Sequence, residues 1–196
     1  KVIDFPSRDL ILRDISGISR EYEHARLGTL SKIIDGDYDV VICGADALLS
    51  YTIPPETLMA NRFTLKAEQT IPPAEVCGRL VSAGYTRCDT VEGVGQFALR
   101  GGIIDISSPA ADRPFRAEFF GDELDTMGYF DPATQRRTEN IDSFTVLPVA
   151  ETQPHLHPDG IEGLCRDIRS LISRQKRRKN VNESLISTLS KDLDKY

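Results

Sequence analysis

The sequence has no tryptophan, no Cys-x-x-Cys pair and no apolar run near the ~18 residues needed to span a membrane. Each absence removes a class of function. Unpaired in sequence, Cys43, Cys77, Cys88 and Cys165 give no zinc-ribbon or redox-motif signature, and reduced thiols point to the cytoplasm. No G-x-x-x-x-G-K-[ST] element is present, so nothing here cradles ATP phosphates in the P-loop manner. No G-x-S-x-G element or local Ser–His–Asp or Cys–His grouping offers an activated nucleophile. No signal peptide precedes the first strand-like run. Positive charge is also short, with a formal net charge of -6, which makes the chain a poor binder of nucleic-acid phosphates on its own.

What is present is a soluble globular texture: 40% hydrophobic and 28% charged residues. The chain opens on Lys1 and closes on a charged helical pattern, as expected of a segment of a longer protein. Three textures follow one another. In residues 1–60, Ser19 can cap a helix with Glu21 and Glu23 in its first turn and Leu27, Leu30 and Ile34 on its apolar stripe. Val40–Cys43 reads as a strand buried on both faces, a short helix follows around Ala45–Leu49, and Pro54-Pro55 closes the unit.

Residues 61–150 read as a small, mostly antiparallel sheet with one main helix. Pro72-Pro73 opens the helix, Val76, Cys77, Leu80 and Val81 form its buried face, and Gly84 ends it. Strands are expected at Tyr85–Val91, Gln96–Ile106, Phe115–Phe120, Leu124–Phe130 and Ser143–Leu147. Residues 151–196 read as a polar linker and a helical tail. Ile161, Leu164, Ile168, Leu171 and Ile172 line one helix face, and Leu185, Leu189 and Leu193 the next. The fold class is therefore α/β and α+β multidomain: a partial parallel α/β unit, then the sheet domain, then the helical tail.

Several candidates for chemistry have plainer readings. Gly93-Val94-Gly95-Gln96-Phe97-Ala98 matches G-x-G-x-x-G/A in letter, but it precedes a strand and so reads as a hairpin turn. His155 and His157 could share a metal, yet no third ligand is evident. Glu118, Asp122, Glu123 and Asp125 suit a solvated turn better than a cation or acid–base site. The run Arg174–Lys179 suits a helix end, with a nucleic-acid contact as the other reading. Arg87 and Arg100, beside Tyr85, Phe97 and Leu99, could be interface anchors, but spacing alone favours buried ion pairs or exposed sheet-face residues.

The runs Gly95–Ile106 (GQFALRGGIIDI), Phe115–Asp125 (FRAEFFGDELD) and Phe130–Arg136 (FDPATQR), followed by Ser143–Pro148 (SFTVLP), closely resemble domain 2 of UvrB and its counterpart in the transcription-repair coupling factor family. Arg100-Gly101-Gly102 resembles the coupling factors, where UvrB usually has R-G-D. Asp14–Leu27 resembles the end of their first N-terminal domain. A fragment of UvrB, the damage-loading helicase-like subunit, is the alternative.

The resemblance implies residues 1–60 as the end of a degenerate UvrB-like domain 1a without a P-loop, 61–150 as the UvrA-binding domain 2, and 151–196 as the linker and helical start of domain 1b. It implies a non-catalytic docking role: recruiting UvrA, and with it nucleotide excision repair, to RNA polymerase stalled at DNA damage. It further implies that Arg87, Arg100 and Phe97 meet UvrA, while Ala98 stands where UvrB carries another arginine. ATP and Mg would belong to the parent protein's motor, as would its contacts with RNA polymerase and double-stranded DNA. The expected setting is the bacterial cytoplasm, with no membrane partner.

Overall fold

A computed structural model describes residues 1–7, 20–152, 154 and 157–194. It contains two compact units, Lys1–Glu151 and Thr152–Tyr196. The first unit begins with β1 (Val2–Phe5), α1 (Glu21–Ile34) and β2 (Val40–Cys43), and the two strands pair in parallel. Glu21 and Glu23 sit in the first turn of α1, where the helix dipole favours them. The Ser19 cap expected from sequence lies outside the described residues. Leu27 is buried with Leu30 and Ile34 beside it, against Ile53 and Leu58.

Two expectations for this part are corrected. Val40 is 51% exposed and Ile42 56%, so β2 is not covered on both faces. Its continuous apolar run is written for two covered faces, but among the described residues it has one strand neighbour and one covered side. Pro54-Pro55 does not close the unit after the short helix α2 (Ala45–Leu49). It opens α3 (Pro55–Asn61), with proline in the first turn, where a missing N–H costs nothing.

The remainder of the unit is built on a seven-stranded sheet and one packed helix. The strands are β4 (Gln69–Thr70), β5 (Thr86–Arg87), β6 (Gln96–Arg100), β7 (Ile103–Ser107), β8 (Phe115–Phe120), β9 (Glu123–Phe130) and β10 (Arg137–Asn140). Their order is β10-β9-β8-β7-β6-β5, with β4 also on β9. Two further strands, β3 (Phe63–Lys66) and β11 (Ser143–Val146), make a separate antiparallel pair. Helix α4 (Pro73–Ser82) starts at the expected Pro-Pro and ends where Gly84 takes φ +90°. Gly84 N–H donates to Val81 O and Tyr85 N–H to Leu80 O, the paired bonds of a Schellman stop. Val76 and Leu80 are buried; Val81 is exposed, one step further round the helix than the core reaches.

The sheet also departs from the sequence reading. The expected strand at 85–91 shrinks to Thr86–Arg87, because Tyr85 sinks into the core and donates its hydroxyl to Leu147 O at 2.8 Å. β5 then pairs with β6 in parallel, so the glycine-rich stretch at 93–95 is not a hairpin turn but part of a loop between parallel neighbours. Gln96 ties that loop down, its Oε1 accepting from the N–H groups of Glu92 and Gly93. The expected single strand Gln96–Ile106 is two strands, with Arg100 opposite Ile103 across a two-residue turn. Gly101 has φ +60° and Gly102 is not in the left-handed region, the II′ arrangement that demands glycine first.

The second unit holds α5 (Gly160–Lys176) and α6 (Glu183–Leu193). Cys165 and Ile172 are buried. Asn182 caps α6, its side chain accepting from Leu185 N–H at 2.9 Å. Arg174 and Lys176 lie in the last turn of α5, where cations complement the carbonyl end. His155 lies outside the described residues, while His157 faces Asp167. No helix among the described residues is long and apolar enough to cross a membrane.

Candidate docking face

Strand alternation sorts the central strands into two faces. Phe97, Ile104, Ile106, Phe115, Ala117, Leu124 and Met127 turn to the side carrying α4 and form the core. The intervening residues take the opposite side. Ala98 lies opposite Asp105, Asp105 opposite Arg116, and Arg116 opposite Gly128. One step along, Arg100 lies opposite Ile103, Ile103 opposite Glu118, and Glu118 opposite Thr126. The open face is therefore striped with charge.

Its centre is Asp105, which is 1% exposed. Arg116 grips both its oxygens, from Nε to Oδ1 at 2.6 Å and from Nη2 to Oδ2 at 3.0 Å. This bond and the adjacent negative charge hold the Arg116 guanidinium above its ordinary pKa despite burial. Arg100 Nη2 donates to the same Oδ2. Arg116 also stacks over Phe130, 4.6 Å from the ring centroid. Two guanidinium groups on one carboxylate leave an uncancelled positive charge, and Arg100, with its side chain 45% exposed, carries it to the surface. Beside it Arg137 pairs with Glu118 and donates to Thr126 Oγ1 at 3.1 Å.

The three expected site residues do not come together. Arg100 stands on the open face. Arg87 is exposed but in register with Phe97, so it leaves the sheet on the α4 side, where burial raises the Cys77 thiol and the Arg87 charge offsets this only in part. Phe97 is 0% exposed; its ring belongs to the core and presents nothing to a partner. Ala98, under the stripe, is 1% exposed. Asp105, Arg116 and Gln135 were not singled out from sequence. Reading Gly101-Gly102 as a two-residue turn would have found the first two, because that turn sets which residues oppose one another.

Elsewhere, the tip between β8 and β9 carries Asp122 and Glu123 of the acidic residues foreseen for a solvated turn, with Gly121 at φ +64°, while Glu118 lies on the open face with Arg137. A cleft of about 510 Å³ runs between α3 and α4, lined by Arg62, Phe63, Glu75 and Arg79 among others. Its arginines are spent: Arg62 on Asp35, and Arg79 on Glu75. Among the described residues no group of three His, Cys, Asp or Glu side chains could hold a metal.

Residues 63–151 match the family model described as the UvrB interaction domain. The chain is 31% identical over 150 residues to the transcription-repair-coupling factor of Bacillus subtilis, covering 76% of this chain and 13% of that protein. It is 31% identical over 147 residues to the one of Staphylococcus aureus (strain MRSA252), covering 75% of this chain and 12% of that protein. The coupling factor of Staphylococcus haemolyticus is 30% identical over 151 residues, with 77% and 13% covered. The chain thus spans about an eighth of the length of these relatives. The striped face just described lies wholly within the residues that match the UvrB interaction domain, which supports a protein-interaction role in repair for this part of a chain similar to the transcription-repair-coupling factors.

Proposed function

We propose that this domain docks UvrA, and that the contact is made around Arg100. The observation that carries the reading is a half-exposed guanidinium fixed at one nitrogen by a buried carboxylate, on an open sheet face. An arginine held this way loses little freedom on binding and offers directed donors to a partner's carboxylate. Arg87 joins it where a partner wraps the β5 edge, because β5 ends the sheet and leaves its other side unpaired among the described residues. The segment then acts as an adaptor and performs no catalysis. It brings excision repair to RNA polymerase stalled at DNA damage in the bacterial cytoplasm. ATP, Mg and double-stranded DNA are handled by parts of the parent protein outside this chain.

Calorimetric titration of UvrA with the full 196-residue chain tests this. Arg100→Ala is expected to weaken binding about tenfold, or ~1.4 kcal/mol, with the melting temperature nearly unchanged. Arg87→Ala is expected to weaken it less. Wild-type affinity in Arg100→Ala would overturn the placement of the contact, and no binding by the wild-type chain would overturn the reading.

A further inference from the structure

The open face holds two arginines that are treated differently. Arg116 is used up: beyond its two bonds to Asp105, its Nη1 donates to Gln135 O at 3.2 Å and its Nη2 to Gln135 Oε1 at 2.9 Å. Arg100 is tied by Nη2 alone, to Asp105 and to the same Gln135 Oε1 at 3.3 Å. Its Nε and Nη1 make no hydrogen bond among the described residues.

Gln135 has an unusual backbone. It sits between β9 and β10 with φ +59°, a left-handed conformation that side chains other than glycine rarely take. Its N–H donates to Asp131 O at 2.7 Å, and its Nε2 donates to Pro132 O at 2.8 Å. The second bond fixes which way the amide faces. With the nitrogen turned to Pro132, the oxygen is turned to the two arginines. A glycine would fit this backbone with less strain, but it would lose the side chain that reaches the two arginines.

Building on the docking reading, we infer that Asp105 and Gln135 are positioning residues for Arg100. Asp105 anchors one end of the guanidinium from beneath. Gln135, reaching over from the β9–β10 turn, stops it from swinging about that anchor. The free Nε and Nη1 edge then points outward at a fixed angle, suited to an acidic group on the partner. Arg116 holds Asp105 in place through its two bonds while taking no part in the contact itself. The β9–β10 turn, distant in sequence from β6, thereby sets the aim of the docking arginine.

The test is a double-mutant cycle on the full chain, read by titration with UvrA and by melting temperature. Gln135→Gly removes the acceptor and suits the left-handed backbone, so the fold is expected to survive intact. Affinity is expected to fall roughly three- to tenfold, and to show no further fall when Gln135→Gly is added to Arg100→Ala. Asp105→Asn is expected to follow the same pattern with a larger loss, accompanied by a lower melting temperature because Arg116 also loses its counter-charge. The inference is overturned if Gln135→Gly binds like wild type while Arg100→Ala does not. It is equally overturned if Gln135→Gly weakens binding by the same factor with and without Arg100. An Arg100→Ala chain that binds like wild type removes the docking reading itself, a result separable from the first two.

Discussion

Two arginine–carboxylate clusters in the first unit have opposite characters. Arg26 and Glu151 are both 0% exposed at their side chains, with Nε to Oε1 at 2.5 Å. Arg26 also donates to Pro6 O at 2.7 Å and lies over the Phe5 ring. Its Nη2 is buried without a partner among the described residues. Asp105 is as deeply buried as Glu151, yet one of its two arginines reaches solvent with donors unspent. The sealed pair can only hold the chain together. The open cluster puts the same chemistry at the disposal of a partner. Unspent donors at the surface, rather than the presence of a salt bridge, separate a docking group from a structural one.

The comparison makes graded expectations. The largest effect belongs to the sealed pair: Arg26→Ala takes from the buried Glu151 a charged partner at 2.5 Å and should cost about 3–5 kcal/mol in chemical denaturation. Adding Glu151→Leu to Arg26→Met should recover most of that loss, since apolar groups need no partner there. A loss below about 1 kcal/mol for Arg26→Ala would mean that the pair is no more than a surface bridge in its energetics. At the open cluster, Arg100→Ala should change stability by only about 0–1 kcal/mol, because Arg116 still satisfies Asp105. Should the two single variants melt alike, the distinction between them fails.

The smallest effect is a pH dependence near the sealed pair. Burial holds the His24 pKa below its ordinary 6.5, against the opposing pull of Glu23. The unfolded chain therefore binds more protons than the folded one between that lowered value and 6.5. Stability should be full above 6.5 and fall as pH drops through this window. His24→Gln should flatten the dependence, as followed by melting temperature from pH 7.5 to about 5.

Much of this was legible in the sequence, and the failures have physical causes. α4 was read from its Pro-Pro start, apolar stripe and Gly84 stop, all of them local signals. β8 and β9 were read from alternation and the Gly121-Asp122 turn. The division of Gln96–Ile106 into β6 and β7 was missed because both halves are apolar and the Gly-Gly turn interrupts no pattern. β10 was missed because RTEN carries little apolar alternation, and β3 because FTLK, though it alternates, is only four residues long; each is held by its neighbour strand. Arg100 was legible from its neighbours as one of two candidates, and resemblance tipped the choice toward a docking role. The opposed faces of Arg87 and Arg100 depend on the parallel register of β5 on β6, which residue composition does not encode.

Arg26 and Glu151 stand 125 residues apart in the chain, and Glu151 is the last of the residues 63–151 that match the interaction domain. Glu23 strengthens the same closure, its Oε1 accepting from Glu151 N–H at 2.8 Å. Closing so long a loop before the intervening sheet has folded would have few compensating contacts. The latch is thus expected to close late in folding, a sign that what lies between its two ends is already assembled.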